Sequence, residues 1–381
     1  MPKESLVFAV ALVACARESA PAAPTQSPPA QAIASSASSA PAAHVSTPDL
    51  SRTPADGGDL RSAPVELAFR AVALPGVSPP AFLDYIAWEA ARARVWVPVA
   101  NTGSVDVLST ADNTFARVDG FKTAEREIRG KKRTMGPSAV SIGDGFAYIG
   151  NRATGEVCPV DTGTLKAAKC LKLPSNTDGV AYVASAKEVW VTTPGDRAIV
   201  VLDASAGNAL RVKTTVKLDG APEGYAADES RSVFFTNLED KNKTVAIDLK
   251  THQPKASWDA DCGSAGPRGI AAEVSHGWVF VACTNRLLVL DAGHGGARVG
   301  ELDVGDGIDN IDWLEPQRSL YIAAARAAQF VIAHVDESGQ PTVVASGAVP
   351  EGARNAVADA SGTAYVTDPA GARLLVFPHA P

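Results

Sequence analysis

From about residue 64 onward, short apolar segments alternate with polar turns, and one kind of apolar segment returns at a regular interval. It is a stretch of β-forming residues centred on an aromatic side chain, and it occurs at Trp96, Tyr148, Trp190, Phe234, Phe280, Tyr321 and Tyr365. Successive copies are separated by 52, 42, 44, 46, 41 and 44 residues. Runs rich in β-branched and aromatic residues, bounded by Gly or Asn, are typical of strands. The pattern predicts seven copies of one β unit.

Each unit contains further strands. A short apolar strand precedes the aromatic strand, and a loop leads to a third strand such as 198–203 and a more polar fourth such as 210–218. Four antiparallel strands in roughly 40 to 50 residues make a β-propeller blade. The last unit lacks a fourth strand, whereas an extra strand, 65–74, precedes the first unit. We therefore expect an all-β, seven-bladed β-propeller with four antiparallel strands per blade, in which 65–74 completes the last blade and removes the open edge.

The repeat resembles the YVTN-type β-propeller repeat family. The residues that carry the resemblance are Ala364-Tyr365-Val366-Thr367-Asp368 and Phe234-Phe235-Thr236-Asn237, with 97–108 as a looser copy. The resemblance extends over 65–379 and implies the propeller fold. It implies little about activity, because such propellers include ligand binders, surface proteins and enzymes.

The chain before residue 64 has the composition of an export signal followed by a tether. Residues 5–14 form an apolar run that is too short to cross a bilayer and ends in Leu12-Val13-Ala14-Cys15. This tetrapeptide resembles the lipobox of bacterial lipoproteins, which implies cleavage before Cys15 and a lipid on its thiol. The alternative is a plain signal peptide in which Cys15 has no role.

These features divide the chain into three parts. We interpret 1–14 as a lipoprotein signal peptide, 15–63 as an Ala/Ser/Pro-rich disordered tether and 64–381 as the propeller. A helical, Ala-rich segment is the alternative for the tether, but its prolines oppose it. The protein is then expected in the bacterial cell envelope, lipid-anchored and facing the periplasm or the cell exterior.

The overall composition excludes several function classes. Hydrophobic residues at 46% and charged residues at 20% indicate a chain that is mostly folded. Since 35 basic residues are set against 42 acidic ones, for a net charge of -7, there is no broad positive field for nucleic acid. The sequence also lacks the usual zinc-binding and P-loop motifs, and it has no Gly-x-Ser-x-Gly nucleophile motif.

An even number of cysteines remains once Cys15 is set aside, as expected for disulfides in an exported chain. Cys158 and Cys170 flank the predicted turn between the third and fourth strands of one blade. Cys262 and Cys283 lie near the same face of another blade. We predict disulfides between Cys158 and Cys170 and between Cys262 and Cys283. Four buried free thiols are the alternative.

The loops that lead into the innermost strands should surround the mouth of the central channel, on what we call the top face. One residue per blade is expected there, namely Asp84, Ser138, Asp178, Glu223, Arg268, Asp309 and Arg354. Asp309 lies between the two arginines of neighbouring blades and should be ion-paired and anionic. Asp178 and Glu223 are neighbours with no basic residue beside them in the ring, which should raise one pKa or attract a cation.

These two carboxylates also suggest a metal site. With Asn151 and Asn237 from the loops after the aromatic strands, Asp178 and Glu223 would supply the oxygen ligands that Ca²⁺ prefers. The set resembles, in residue types only, the metal site of gluconolactonase-type six-bladed propellers, which would imply a divalent-cation-dependent hydrolase or lactonase. The alternative is a mouth filled by water and salt bridges.

The first interval is the longest, and its surplus lies in residues 121–135. This insertion should project from the top face, and it carries the basic residues Arg129, Lys131, Lys132 and Arg133. They could contact an acidic partner, or they could form a solvated loop without one.

The sequence as a whole favours a membrane-anchored, non-catalytic binding module. It would engage an envelope protein, peptide or saccharide ligand through its top face, as a monomer and without nucleic acid. The alternatives are the cation-dependent hydrolase or lactonase and a structural or adhesive role.

Overall fold

The computed structural model describes residues 63–128, 130–263 and 266–379. The first half of the strands, in chain order, comprises β1 (Val65–Glu66), β2 (Arg70–Ala73), β3 (Ala87–Glu89), β4 (Arg94–Val99), β5 (Ser104–Ser109), β6 (Phe115–Val118), β7 (Ala124–Ile128), β8 (Lys131–Met135), β9 (Pro137–Gly143), β10 (Phe146–Asn151), β11 (Glu156–Asp161), β12 (Leu171–Lys172), β13 (Val180–Val183), β14 (Glu188–Thr193), β15 (Ala198–Asp203) and β16 (Arg211–Lys217). The second half comprises β17 (Pro222–Asp228), β18 (Val233–Leu238), β19 (Lys243–Asp248), β20 (Pro254–Asp259), β21 (Pro267–Glu273), β22 (Trp278–Cys283), β23 (Arg286–Asp291), β24 (Ala297–Asp303), β25 (Ile308–Leu314), β26 (Ser319–Ala324), β27 (Gln329–Val335), β28 (Pro341–Ala348), β29 (Arg354–Ala358), β30 (Ala364–Asp368) and β31 (Arg373–Phe377).

Short 3-10 turns are the helical elements of the described residues. They are Ala90–Arg92, Pro194–Asp196, Glu239–Lys241, Ala292–His294 and Glu315–Gln317. None of the helices in the described ranges is long and apolar enough to cross a bilayer.

The strands form the seven antiparallel blades that the sequence predicts. Blades one to six each take four consecutive strands, beginning with β3, β9, β13, β17, β21 and β25 as the innermost strand. Every predicted aromatic strand is the second strand of its blade. These second strands are almost wholly buried, as in β14 and β26. Since each one is covered by a neighbouring blade on both faces, it needs apolar residues at successive positions.

The core lies between blades. Trp190 of blade three stacks on Phe234 of blade four with ring centroids 4.5 Å apart, and Phe330 of blade six stacks on Phe377 of blade seven at 4.4 Å. All four side chains are fully buried or nearly so. Aromatic side chains, from the recurring position and from third strands, thus pack between neighbouring blades.

The N-terminal segment closes the ring, as predicted, but it contributes to two blades. Strand β2 pairs antiparallel with β31 and completes blade seven. Strand β1 instead pairs in parallel with β28, at the outer edge of blade six. Leu67 and Leu74, which flank β2, are buried at 8% and 3% exposure. The segment 65–74 therefore ties the last two blades together.

Both predicted disulfides are confirmed. Cys158 is bonded to Cys170 with their Cα atoms 4.1 Å apart, and Cys262 is bonded to Cys283 with Cα atoms 5.1 Å apart. The first bond connects β11 to the segment before β12 within blade two. The second connects the loop that leads into blade five to the end of its second strand.

The insertion between blades one and two is a two-stranded hairpin formed by β7 and β8. Its base is held against blade one, because the Phe121 amide donates to the Gly103 carbonyl at 3.0 Å and Met135 is fully buried. A side chain at Gly136 would collide with the backbone of Ala100, so the hairpin lies directly against that loop.

Candidate functional site

The backbone is irregular where four of the mouth residues lie. In blades four to seven, the pairing between the innermost and second strands shifts register around Glu223, Arg268, Asp309 and Arg354. A bulge redirects a side chain out of the regular alternation of a strand. Gly224 supports the first bulge with a φ of +68°. These bulges bring the four side chains to the channel mouth.

Arg354 connects two carboxylates across the end of the ring. Its Nη1 lies 2.9 Å from Asp309 Oδ2, and its Nη2 lies 3.7 Å from Asp84 Oδ1. Nη2 also donates to the Leu83 carbonyl at 3.1 Å. Asn355 donates to Asp84 Oδ1 at 3.2 Å. Blades six, seven and one are therefore joined at the mouth by a single guanidinium and its neighbours.

Arg268 does not hold Asp309, in contrast to our prediction. It forms an ion pair of 2.7 Å with Glu239, in the turn that follows β18. Burial raises the pKa of Asp309 above its usual value, although Arg354 acts in the opposite direction. The predicted ion pair of Asp309 is present with Arg354, whereas Arg268 is paired with Glu239 and acts on Asp309 only through its charge.

Arg152 is the mouth residue that sequence reasoning missed. It forms a close ion pair with Asp178 and lies 3.4 Å from Asp84. Its guanidinium also lies 6.0 Å from the centre of the Phe82 ring. Asp178 therefore has a basic partner, contrary to our prediction. The signal was present in the sequence, because Arg152 directly follows Asn151 at the end of an aromatic strand.

Glu223 is left without a partner at this mouth. Among the described residues, none makes a hydrogen bond or an ion pair with its half-buried carboxylate. Burial, followed by the charges of Asp309, Asp84 and Glu239, raises the pKa of Glu223 to about 8, whereas Arg152 acts to lower it. We predicted that repulsion between Glu223 and Asp178 would raise one pKa or attract a cation. The pKa of Glu223 is raised, but by carboxylates other than Asp178. The structure instead gives Asp178 an arginine and surrounds Glu223 with other carboxylates.

Three of the four predicted metal ligands are engaged in other contacts. Asn151 Oδ1 accepts from the Ala153 amide at 3.0 Å, and Asn237 Oδ1 accepts from Thr244 at 2.7 Å. Both amide groups donate to backbone carbonyls, those of Lys122 and Arg268. With Asp178 held by a guanidinium, each predicted ligand except Glu223 already has partners. The described residues contain no group of three or more His, Cys, Asp or Glu side chains arranged for a metal.

The β7–β8 hairpin lies on the top face and forms one wall of a cleft of about 670 Å³. Lys132, Arg133 and Thr134 line this wall, and Phe82 and Leu83 are among the other residues that line the cleft. On the other side of the hairpin, Arg126 donates to the Ala153 carbonyl at 3.0 Å. This contact ties the hairpin to blade two.

Two of the four predicted basic residues can be described fully. Lys132 and Arg133 are exposed, and neither forms an ion pair with a described residue. Arg129 and the side chain of Lys131 lie outside the described part of the structure. The predicted interaction of these residues with an acidic partner therefore stays a prediction.

These features define a seven-bladed β-propeller with a charged channel mouth and a basic hairpin beside it. No protein-family model matches the chain, and no curated protein matches its sequence.

Solved structures show the same fold. The chain is similar to hydrazine synthase from Kuenenia stuttgartiensis, with 13% identity, a TM-score of 0.67, and coverage of 81% of this chain and 99% of the other. It is similar to virginiamycin B lyase from Staphylococcus aureus, with 12% identity, a TM-score of 0.64, and coverage of 83% and 100%. It is also similar to a chain of the mitotic checkpoint complex, with 13% identity, a TM-score of 0.65, and coverage of 90% and 99%. Identities this low show the fold alone.

Proposed function

We propose that this protein is a non-catalytic binding module of the bacterial cell envelope. Its top-face cleft binds a small anionic ligand that carries an apolar group. The observation that carries the proposal is the cleft beside the β7–β8 hairpin, whose volume of about 670 Å³ falls in the range of small-molecule sites.

The two walls of the cleft differ in chemistry, and each suits a different part of such a ligand. One wall is built from residues just before the first blade, of which Pro80 is exposed and Phe82 half-buried, whereas Ala81 and Leu83 are buried in the core. The other wall presents Lys132 and Arg133, whose charges no described acidic residue neutralises within ion-pair distance. Burial of an apolar group against the first wall supplies affinity, and the two cations select an anion and orient it. A purely polar saccharide would leave the first wall unused.

A third cation near the cleft does not change the assignment of anion binding to Lys132 and Arg133. Arg354 also lines the cleft, but its guanidinium is engaged with Asp309 and Asp84. The free positive charge of the cleft therefore comes from the hairpin. We expect substitutions in the hairpin to affect anion binding without disturbing the ion pairs of the mouth.

Fluorescence titration with anilinonaphthalene sulfonate tests this proposal, because the dye combines an anionic group with an apolar body. We expect saturable binding to the full chain and a loss of affinity of about tenfold or more when Lys132 and Arg133 are both replaced by alanine. Replacement of Lys250 and Lys255 is the matched control. Both are exposed near the turn between β19 and β20, and their loss changes the net charge by the same amount.

Two results would overturn the proposal. One is equal dye affinity in the hairpin variant and the control variant. The other is equally tight binding of N-phenylnaphthylamine, which has a similar apolar body but no sulfonate.

Lipid anchoring through Cys15 is a second part of the proposal and lies outside the described residues. The lipobox-like residues 12–15 and the Ala/Ser/Pro-rich composition of 15–63 support it. In a bacterial host, Cys15→Ser should move the protein from the membrane fraction to the soluble fraction and abolish labelling by a radioactive fatty acid. Unchanged membrane association and labelling would refute a lipid at this position.

A further inference from the structure

Two tyrosines meet across the central channel, below its charged mouth. Tyr85 of blade one stacks on Tyr225 of blade four with ring centroids 5.5 Å apart. Gly179 leaves room for this contact, because a side chain there would collide with the Tyr225 ring. Both rings line a cavity of about 520 Å³ further down the channel, which the carboxylates of the mouth do not line. We call this cavity the lower chamber.

The lower chamber is lined by residues from all seven innermost strands, and most of them are apolar. The largest are Trp88 and Trp313, both half-buried, and aliphatic side chains such as Ile142 and Val357 complete the wall. Apolar surface that faces water carries a free-energy cost, which an apolar occupant would remove. The volume of the chamber falls in the range of small-molecule sites.

One carboxylate interrupts a ring of small side chains in this wall. In each innermost strand, one residue pairs with the recurring aromatic residue of the second strand. In blades one to five this residue is Ala87, Ser141, Ala181, Ala227 or Ala271. Blade seven has Val357 at this position, and blade six has Asp312. The small residues keep the chamber open, and Asp312 gives it a charge.

Asp312 has no counter-ion in the described part of the chain. It is the one charged side chain among the described residues that line the chamber, and none of the described basic side chains forms an ion pair with it. Burial raises the pKa of Asp312, although hydrogen bonds from the Ala358 and Trp313 amides act in the opposite direction. An unpaired charge in apolar surroundings is unfavourable, so the chamber lacks a positive charge.

A structural role explains the position of Asp312 but not its charge. Its Oδ2 accepts from the Ala358 amide at 2.8 Å, which connects blade six to blade seven. Ser141 makes the corresponding contact between blades two and three, where its hydroxyl accepts from the Tyr182 amide at 2.9 Å. A neutral hydroxyl is therefore sufficient to connect neighbouring innermost strands. The carboxylate of Asp312 offers a charge that this contact does not need.

We infer that the lower chamber is a second binding site, which takes a small aromatic amine with its ammonium group on Asp312. A charge-assisted hydrogen bond to the carboxylate selects a cation. The indoles of Trp88 and Trp313 and the two tyrosine rings supply aromatic surface for the ring of the amine and for its charge. The site differs from the top-face cleft in its lining residues and in the sign of its charge.

Calorimetric titration of the full chain with 2-phenylethylamine tests this inference, and 2-phenylethanol is the neutral analogue with the same ring. We expect saturable binding of the amine and at least tenfold weaker binding of the alcohol. Asp312→Asn keeps an oxygen that can accept from the Ala358 amide but removes the charge. It should weaken amine binding about tenfold and leave alcohol binding unchanged, whereas a purely structural role would change both alike.

Two further variants locate the site. Ala271→Leu places a larger side chain in the chamber wall and should weaken the binding of both compounds about tenfold or more. Asp196→Asn is the matched control for the loss of charge, because it removes an exposed top-face carboxylate outside the chamber and should leave both affinities unchanged.

Several outcomes would overturn the inference. They are no saturable binding of the amine to wild type, equal affinities for the amine and the alcohol, and wild-type amine affinity in Asp312→Asn or Ala271→Leu. The variant in which Lys132 and Arg133 are replaced by alanine should bind the amine normally. Failure of dye binding in the cleft and failure of amine binding in the lower chamber can therefore be distinguished.

Discussion

The replacement of Glu223 by glutamine should stabilise the protein at alkaline pH. In the folded state the carboxyl has a pKa of about 8, against 4.5 for a carboxyl in the open. Between these two values the unfolded chain loses the proton and the folded chain keeps it. The folded state then binds more protons, so the free energy of unfolding falls as the pH rises through this range. Glutamine is neutral at every pH in this range, so the free energy of unfolding of the variant does not fall for this reason.

The size of the effect follows from the same two pKa values. At about 1.4 kcal/mol per pH unit, the difference sets an upper limit of roughly 5 kcal/mol above pH 8. Because the carboxylate is partly open to the channel and its neighbours can take up part of the charge, we expect about 2 kcal/mol. Arg152 is already close enough to provide some compensation.

Urea unfolding of wild type and Glu223→Gln, at pH 5 and at pH 9, measures this difference. The two midpoints should lie closer together at the lower pH, which is only about half a unit above the pKa of 4.5 for the carboxyl in the unfolded chain. The variant should be more stable at the higher pH. Asp196→Asn, which removes an exposed carboxylate, should show no such divergence. A Glu223→Gln variant that is less stable than wild type at both pH values would refute the view that Glu223 is an unpaired carboxyl.

Two further predictions concern the framework of the propeller. Replacing Cys158 and Cys170 by serine should lower the free energy of unfolding by about 3 kcal/mol, as expected for a disulfide that closes a loop of this length. Equal urea midpoints of the variant and the oxidised wild type would contradict this prediction. Deletion of residues 1–74 should lower the free energy of unfolding by about 4 kcal/mol relative to deletion of residues 1–62, because it removes the closing strand and two buried leucines, Leu67 and Leu74. Similar melting temperatures of the two truncated proteins would contradict the closure of the ring by β2.

The sequence was sufficient to predict the seven-bladed ring, because each second strand must be apolar on both faces. Trp96, Tyr148 and Trp190 mark this position in the first three blades, and their spacing predicts the blades correctly. The disulfides were predictable for a related reason. Cys158 and Cys170 are placed by the turn between their strands, so a short-range argument was enough.

The pairing of charges at the mouth could not be predicted in the same way. The positions of Arg268 and Asp309 on neighbouring blades follow from the repeat. Which carboxylate pairs with Arg268 is decided by the turn that carries Glu239 and by the bulge at Arg268, and neither follows from the repeat. Arg152 follows a second strand, where the prediction gave roles to Asn151 and Asn237 as metal ligands and none to a basic residue. The contacts that long side chains make across the channel do not recur at a fixed interval in the sequence, so the repeat does not predict them.

The position of the anion site can be tested most directly by photolabelling. Ultraviolet light attaches bis-anilinonaphthalene sulfonate covalently to the residues beside it, and mass spectrometry of a digest of the full chain identifies them. We predict labels on peptides that contain Phe82 or residues 132–134, and a strong decrease when Lys132 and Arg133 are replaced by alanine. Labels confined to other parts of the propeller, or labelling that this replacement leaves unchanged, would contradict a binding site in the top-face cleft.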